Sequence, residues 1–206
     1  MEKKESTVES ENLLLRLRGK RIAIIEPCSQ PWLEGKDMDN FEDWKEVIGK
    51  KVEWTFFDGT KEYVDLKMIQ EIFKNENFGV IIIDSHGNKE SGIRLSLVDQ
   101  SNKPPKNEIE GYHRLNTKEI AQLNAKNTVV ITLGCETAEF AHDWISSGTL
   151  AVIAPLGSPF GDEIYRIAAL IIHYWMVDRM EISQAVKMAQ ILFKGGKYDC
   201  FEVFFQ

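Results

Sequence analysis

The sequence predicts an α/β fold: a mostly parallel central sheet with helices on both faces. Three observations carry that expectation. Short apolar, β-branched runs recur along the chain, among them Arg21 to Ile25, Phe78 to Ile83 and Asn127 to Leu133. Continuous rather than alternating hydrophobicity marks strands buried on both sides. Amphipathic stretches fall between these runs, and parallel strands need such crossovers. The 206 residues are 43% apolar and 28% charged, which suits a single globular domain.

Taken in order, residues 1–19 are charged and predict a short helix or loose arm, leaving 20–206 as the domain. Arg21-Ile22-Ala23-Ile24-Ile25, stopped by Glu26-Pro27, predicts a buried strand. Phe41, Trp44, Val47 and Ile48 recur at helical spacing within 39–48, and Gly49 follows as a stop. Val52 to Phe57 predicts a second strand, and Leu66, Ile69, Ile72 and Phe73 predict a second helix ending near Asn75. Phe78 to Asp84 is the most apolar strand. Ile93, Leu95 and Leu97 alternate with Arg94 and Ser96, which predicts a short half-exposed strand. Residues 99–111, with Pro104-Pro105, predict a surface loop. Thr117 is a helix cap for a segment reaching Leu123, and Asn127 to Leu133 is the fourth central strand. A helix over 137–145, a strand over 150–155, helices over 160–178 and 183–193, and a last strand over 198–205 complete the chain.

Charge and cysteine usage narrow the function. Lys and Arg number 25 against 32 Asp and Glu, a formal charge of −7. Nucleic-acid binding is driven by clustered Lys and Arg, so it is not expected. The three cysteines, Cys28, Cys135 and Cys200, show no paired spacing. Neither a disulfide framework nor a metal site follows from them, and no cofactor fingerprint is present. The longest apolar stretch, 167–177, is broken by His173 and falls short of the ~20 residues of a membrane span. Without a secretory h-region after Met1, a cytoplasmic location is expected.

Two strand ends carry chemistry. One reads Asp84-Ser85-His86-Gly87, the other Leu133-Gly134-Cys135-Glu136-Thr137-Ala138. In parallel sheets function collects at the carboxyl ends of strands, so an imidazole and a thiol are delivered to one edge. A thiol is nucleophilic as thiolate, and a nearby imidazole generates it at neutral pH. The expected helix after Cys135 favours an anion at its start, whereas Glu136 opposes one. Gly87 and Gly134 permit close approach of another backbone. A lone strand-end cysteine is more often a small buried apolar residue, and a lone histidine is equally unspecific. The conjunction of the two motifs, in this order, is what points to a site.

The motifs resemble the caspase-like cysteine peptidases of clan CD, and within them the CHAT branch. The thiol lies 49 residues after the imidazole, close to the ~50 of caspases. Leu115 to Ile120 resembles the branch's lead-in to the Cys strand, Gly148 to Leu156 its next strand, and Ser183 to Gln190 its closing helix. The resemblance thus spans about 21–193. It implies a caspase-like sandwich in which Cys135 attacks a peptide carbonyl and His86 transfers the proton. Backbone N–H groups of Gly87 and Cys135 would form the oxyanion hole. It implies a protein substrate, and a repeat-containing regulatory chain, since relatives are commonly fused to repeats. Leu133 and Glu136 stand where caspases carry the Gln and Arg tied to cleavage after aspartate, so that preference is not carried over. An inactive caspase-fold binding or scaffolding module is the alternative.

Other residues retain two readings each. Asp84 shares a face with His86 and either receives a basic substrate residue or bonds local backbone. Gly157 to Gly161, with Ser158, either shapes a substrate groove or forms a plain turn. His142 reads as a helix-surface residue, His173 as a hydrogen-bonded core histidine, and His113 as a loop residue with no metal partner in sight. Cys28 and Cys200 read as structural. The terminal Phe201, Val203, Phe204 and Phe205 either cover the core or present an edge strand.

Overall fold

A computed structural model describes residues 13–27, 41–48, 52–59, 61–98, 106, 110–159, 164–192 and 200–206. Six strands form the central sheet: β1 Arg21–Glu26, β2 Trp54–Asp58, β3 Phe78–Ile83, β7 Val129–Thr132, β8 Ala151–Pro155 and β9 Phe201–Phe205. Their order is β2-β1-β3-β7-β8-β9. All neighbours pair in parallel except β9, which runs antiparallel to β8. Every residue of β3, β7 and β8 is buried, as their unbroken apolar sequences demand.

The described helices include α1 Phe41–Ile48, α2 Leu66–Lys74, α3 Thr117–Ala121, α4 Ala141–Ser146, α5 Ile164–Ile172 and α6 Ile182–Leu192. They divide between the faces. Ile22, Ile24, Val80, Ile82, Ile131 and Ile153 pack with Trp44 and with residues of α5 and α6. Ala23, Ile25, Ile81, Ile83, Val130 and Val152 pack with α2, α3 and α4. Alternate residues of each strand thus feed opposite cores. Leu13 and Leu17 are buried in the first of these, so the described part of 1–19 packs on the sheet.

Several expectations change in detail. A three-stranded antiparallel sheet follows β3: β4 Gly87–Asn88, β5 Gly92–Leu97 and β6 Tyr112–Leu115. Only β5 was legible, and it is not half-exposed. Ser96 is buried along with Ile93, Leu95 and Leu97, because its Oγ accepts a hydrogen bond from Val64 N at 3.0 Å. His113 lies on β6 rather than in a loop, its Nε2 2.9 Å from Tyr63 Oη. The cap of α3 is Asn116, not Thr117: its side chain accepts from the Lys118 and Glu119 amides, while Asn116 N donates to the Glu119 carboxylate. The 160–178 helix gives way after Ile172 to a π-helical turn, His173–Val177. That turn moves His173 out of the core to within 3.5 Å of Asp178. Cys28, Phe160 and Gly161, and all of the 99–109 loop but Lys106 lie outside the described residues. Among the described residues no helix is long and apolar enough to cross a membrane.

The chain goes from β1 outward to β2, then returns to β3 on the other side of β1. The strand order therefore reverses between β1 and β3, and such a switch point opens a crevice beyond the carboxyl ends.

Candidate active site

Beyond Ile83, Asp84 prolongs the ladder by one residue, its N–H donating to Ile25 O at 2.9 Å. The chain then turns onto the small sheet. Ser85 Oγ donates to Arg94 O at 2.6 Å, and Arg94 N donates to His86 O at 2.9 Å. His86 is exposed at this turn, and Gly87 pairs with Ile93 across β4 and β5.

Beyond Thr132, Leu133 N donates to Ile83 O at 3.1 Å, so the Cys strand follows the His strand to its end. Gly134 then meets Gly87 backbone against backbone. A methyl on Gly134 would lie 2.7 Å from Gly87 N and 2.8 Å from Ser85 O. One on Gly87 would lie 2.5 Å from Thr137 Cγ2 and 2.8 Å from Cys135 O. No side chain larger than hydrogen fits either place, which is what the two glycines supply. A buried hydroxyl pair fixes the turn from below. Thr137 Oγ1 donates to Gly134 O at 2.8 Å, so the Thr132 hydroxyl, 2.7 Å away, donates to Thr137.

Glu136 adopts the left-handed region, with φ 55°, and its N–H donates to Gly157 O at 2.8 Å, tying the turn to the end of β8. Ser158 follows Gly157 and is exposed. His86, Gly87, Cys135, Glu136 and Ser158 therefore occupy one rim of the sheet. Cys135 is a free, half-buried thiol. The helix expected to begin at it does not: a 3₁₀ turn, Thr137–Phe140, intervenes before α4. The left-handed Glu136 breaks the helical path, so α4 does not begin at the thiol. The Glu136 carboxylate lies 3.8 Å from Lys89 Nζ.

Asp84 stands apart chemically. Its Oδ2 is buried and takes no hydrogen bond among the described residues. Burial pushes its pKa up to about 7. The local-backbone reading of this side chain therefore fails at Oδ2. Cys200, read as structural, is half-buried beside the same rim, with Leu156 N donating to its carbonyl at 2.8 Å. His142 is a surface residue, 3.3 Å from Ser146 Oγ. Among the described residues no three of His, Cys, Asp and Glu are grouped to hold a metal ion. Reasoning from sequence missed Thr132 and Thr137, although a Thr two places after the Cys stood in the motif itself. It also missed Ser85 and Arg94, whose role follows from pairing that no local pattern encodes.

No family model matches the sequence. No curated protein matches it either. Two solved structures of the Saccharomyces cerevisiae separase–securin complex resemble the fold, with TM-scores of 0.56 and 0.57 at 13% and 14% identity. Each similarity covers 96% of this chain and 13% of the longer one, so this chain spans about an eighth of the length of those it matches. The six-stranded, mostly parallel sheet with helices on both faces is the caspase-like fold of those neighbours.

Proposed function

We propose that this chain is a cysteine endopeptidase of the caspase-like type, CHAT branch, cutting a dedicated protein partner through a His86–Cys135 dyad. The observation that carries the reading is the interlock of Gly87 with Gly134, which makes the His turn and the Cys turn one unit of backbone. The caspase-like fold, the fold of the peptidases whose motifs the sequence resembles, supports the same reading.

In this mechanism Cys135 Sγ adds to the scissile carbonyl carbon and His86 carries the thiol proton to the leaving amine. The C–N bond breaks and a thioester remains on Cys135. Water then attacks that thioester with His86 as base, releasing the carboxylate product and restoring the thiol. The backbone N–H groups of Gly87 and Cys135 stabilise the oxyanion, an effect whose strength depends on donors being fixed beforehand. The close approach of Gly87 and Gly134 supports such fixing. Asp84, Glu136 and Ser158 line the substrate groove. The separase chains were solved with securin bound, and here too a separate protein chain is proposed to hold or activate the enzyme, in the cytoplasm.

The test is the fate of the partner's scissile bond, mapped by mass spectrometry after co-purification. Cys135→Ala is expected to lower cleavage by at least about 10³-fold without unfolding the chain. Cleavage of the same bond by that variant would remove Cys135 from the mechanism. A thiol-directed electrophile is expected to modify Cys135 faster than Cys28 or Cys200. Equal rates at all three would leave the fold as a binding or scaffolding module.

A further inference from the structure

The small sheet carries a row of basic side chains that starts at His86. Gly87 pairs with Ile93, and Ile93 with Leu115. Ile93 and Leu115 are buried in the core with Leu95, so that row faces inward. The adjacent row is His86, Arg94 and Arg114: Arg94 N donates to His86 O at 2.9 Å, and Arg94 pairs with Arg114. Successive residues of a strand point to opposite sides, so these three side chains share the outward face, in steps of roughly 5 Å. His86 is exposed and both arginines are half-buried.

Each arginine is held in place by more than one partner. The Arg94 guanidinium lies 4.4 Å from the centre of the Tyr112 ring, and Arg114 Nη1 donates to Ser91 Oγ at 3.0 Å. A guanidinium carries five N–H donors, so one anchored along part of its edge keeps others for a ligand. Like charges set directly opposite on paired strands repel, and an anion lying across both offsets that cost. A carboxylate suits the place, because it meets a planar guanidinium through two parallel N–H···O bonds.

The start of the row fixes which part of a substrate would reach it. In the proposed mechanism His86 hands its proton to the leaving amine, so the substrate beyond the scissile bond begins against His86. Cys135, Glu136 and Ser158 follow β7 and β8, whereas the small sheet leads on from His86. An extended peptide advances about 3.3 Å per residue. Arg94 and Arg114 lie roughly 5 and 10 Å along the row, so the space between them falls opposite about the third residue after the bond.

We infer that Arg94 and Arg114 form a subsite for an acidic side chain, aspartate or glutamate, about three residues after the scissile bond. The inference rests on the peptidase reading above and adds a preference on the leaving-group side of its substrate.

Cleavage of a proteome-derived peptide library by the full chain, with both products of each cut sequenced by mass spectrometry, tests this. Cuts lost in Cys135→Ala define the activity. Among them, aspartate and glutamate at the second to fourth positions after the bond are expected to be enriched about fivefold over their frequency in the library. Arg114→Gln and Arg94→Gln are each expected to reduce that enrichment to less than about twofold, whereas Arg114→Lys, which keeps the charge, retains about half of it. The enrichment is a ratio within one sample, so a smaller folded fraction in either glutamine variant leaves it readable. Cuts that depend on Cys135 without acidic enrichment, or an enrichment that survives both glutamine variants, would overturn the inference and leave the peptidase reading standing. A library with no cut that depends on Cys135 would overturn that reading, and the inference with it.

Discussion

Within β3 and β7, Ile81, Ile82, Ile83, Val130 and Ile131 are fully buried and meet their neighbours through side chains. A few residues further along, Gly87 and Gly134 meet through main chain alone. The first kind of contact absorbs change, because an apolar core tolerates swaps of similar volume. The second has no side chain to give way. The same two strands thus pass from a region specified loosely, by hydrophobicity, to one specified atom by atom at the rim where the thiol and imidazole emerge.

The largest effect expected from breaking that contrast comes from Gly134→Ala. Its new methyl would press on backbone atoms of Gly87 and Ser85 at 2.7–2.8 Å. Relief requires the two turns to separate, at a cost of about 3 kcal/mol. Ile82→Val, one strand turn deeper, is expected to cost about 1 kcal/mol. Urea unfolding measures both. Iodoacetamide labelling of Cys135 is expected to shift several-fold in the glycine variant and stay unchanged in the valine one. Should Gly134→Ala prove no more damaging than Ile82→Val, the interlock would not constrain the rim.

Asp84 gives the next effect, in pH. Unfolded, it titrates near 3.8; folded, burial moves it to about 7. Between those values the folded chain holds a proton that the unfolded chain has released, so stability falls as pH rises through this window and is flat above it. The loss is at most about 4 kcal/mol, from a shift of about three units. Asp84→Asn is expected to remove this part of the pH slope and to be the more stable protein at pH 8. Urea midpoints measured from pH 4 to 8 check it; parallel curves for both chains would show that Asp84 is ionised in the fold as it stands.

The contrast also explains what could be read beforehand. The strands β1, β3, β7 and β8 announce themselves, since a sheet covered on both faces leaves an unbroken apolar run. The motif residues stood out because polar residues and glycine interrupt those runs abruptly. The small strands did not: Gly87–Asn88 is too short for any period, and Tyr112 to Leu115 mixes polar and apolar residues. Asn116 and Thr117 are adjacent capping residues, and only Glu119, three places after Asn116, distinguishes them. His173 sits among apolar neighbours, but a π turn rotates it outward. The switch point between β1 and β3 depends on strand order, which no stretch of sequence contains.

The smallest expected effect sharpens the contrast from the other side. Lys89 and Glu136 join the same two turns as the glycines do, but through side chains 3.8 Å apart that remain 53% and 32% exposed. An exposed pair of this kind gains little, since water and salt screen it and two long side chains lose freedom. Lys89→Met is therefore expected to change stability by less than about 0.5 kcal/mol and Cys135 labelling by less than about twofold. Raising the salt concentration in the unaltered chain should have as little effect. If instead Lys89→Met or high salt slowed labelling as much as Gly134→Ala does, the two turns would be held by charge, and the backbone contact between the glycines would be a consequence of that attraction rather than its cause.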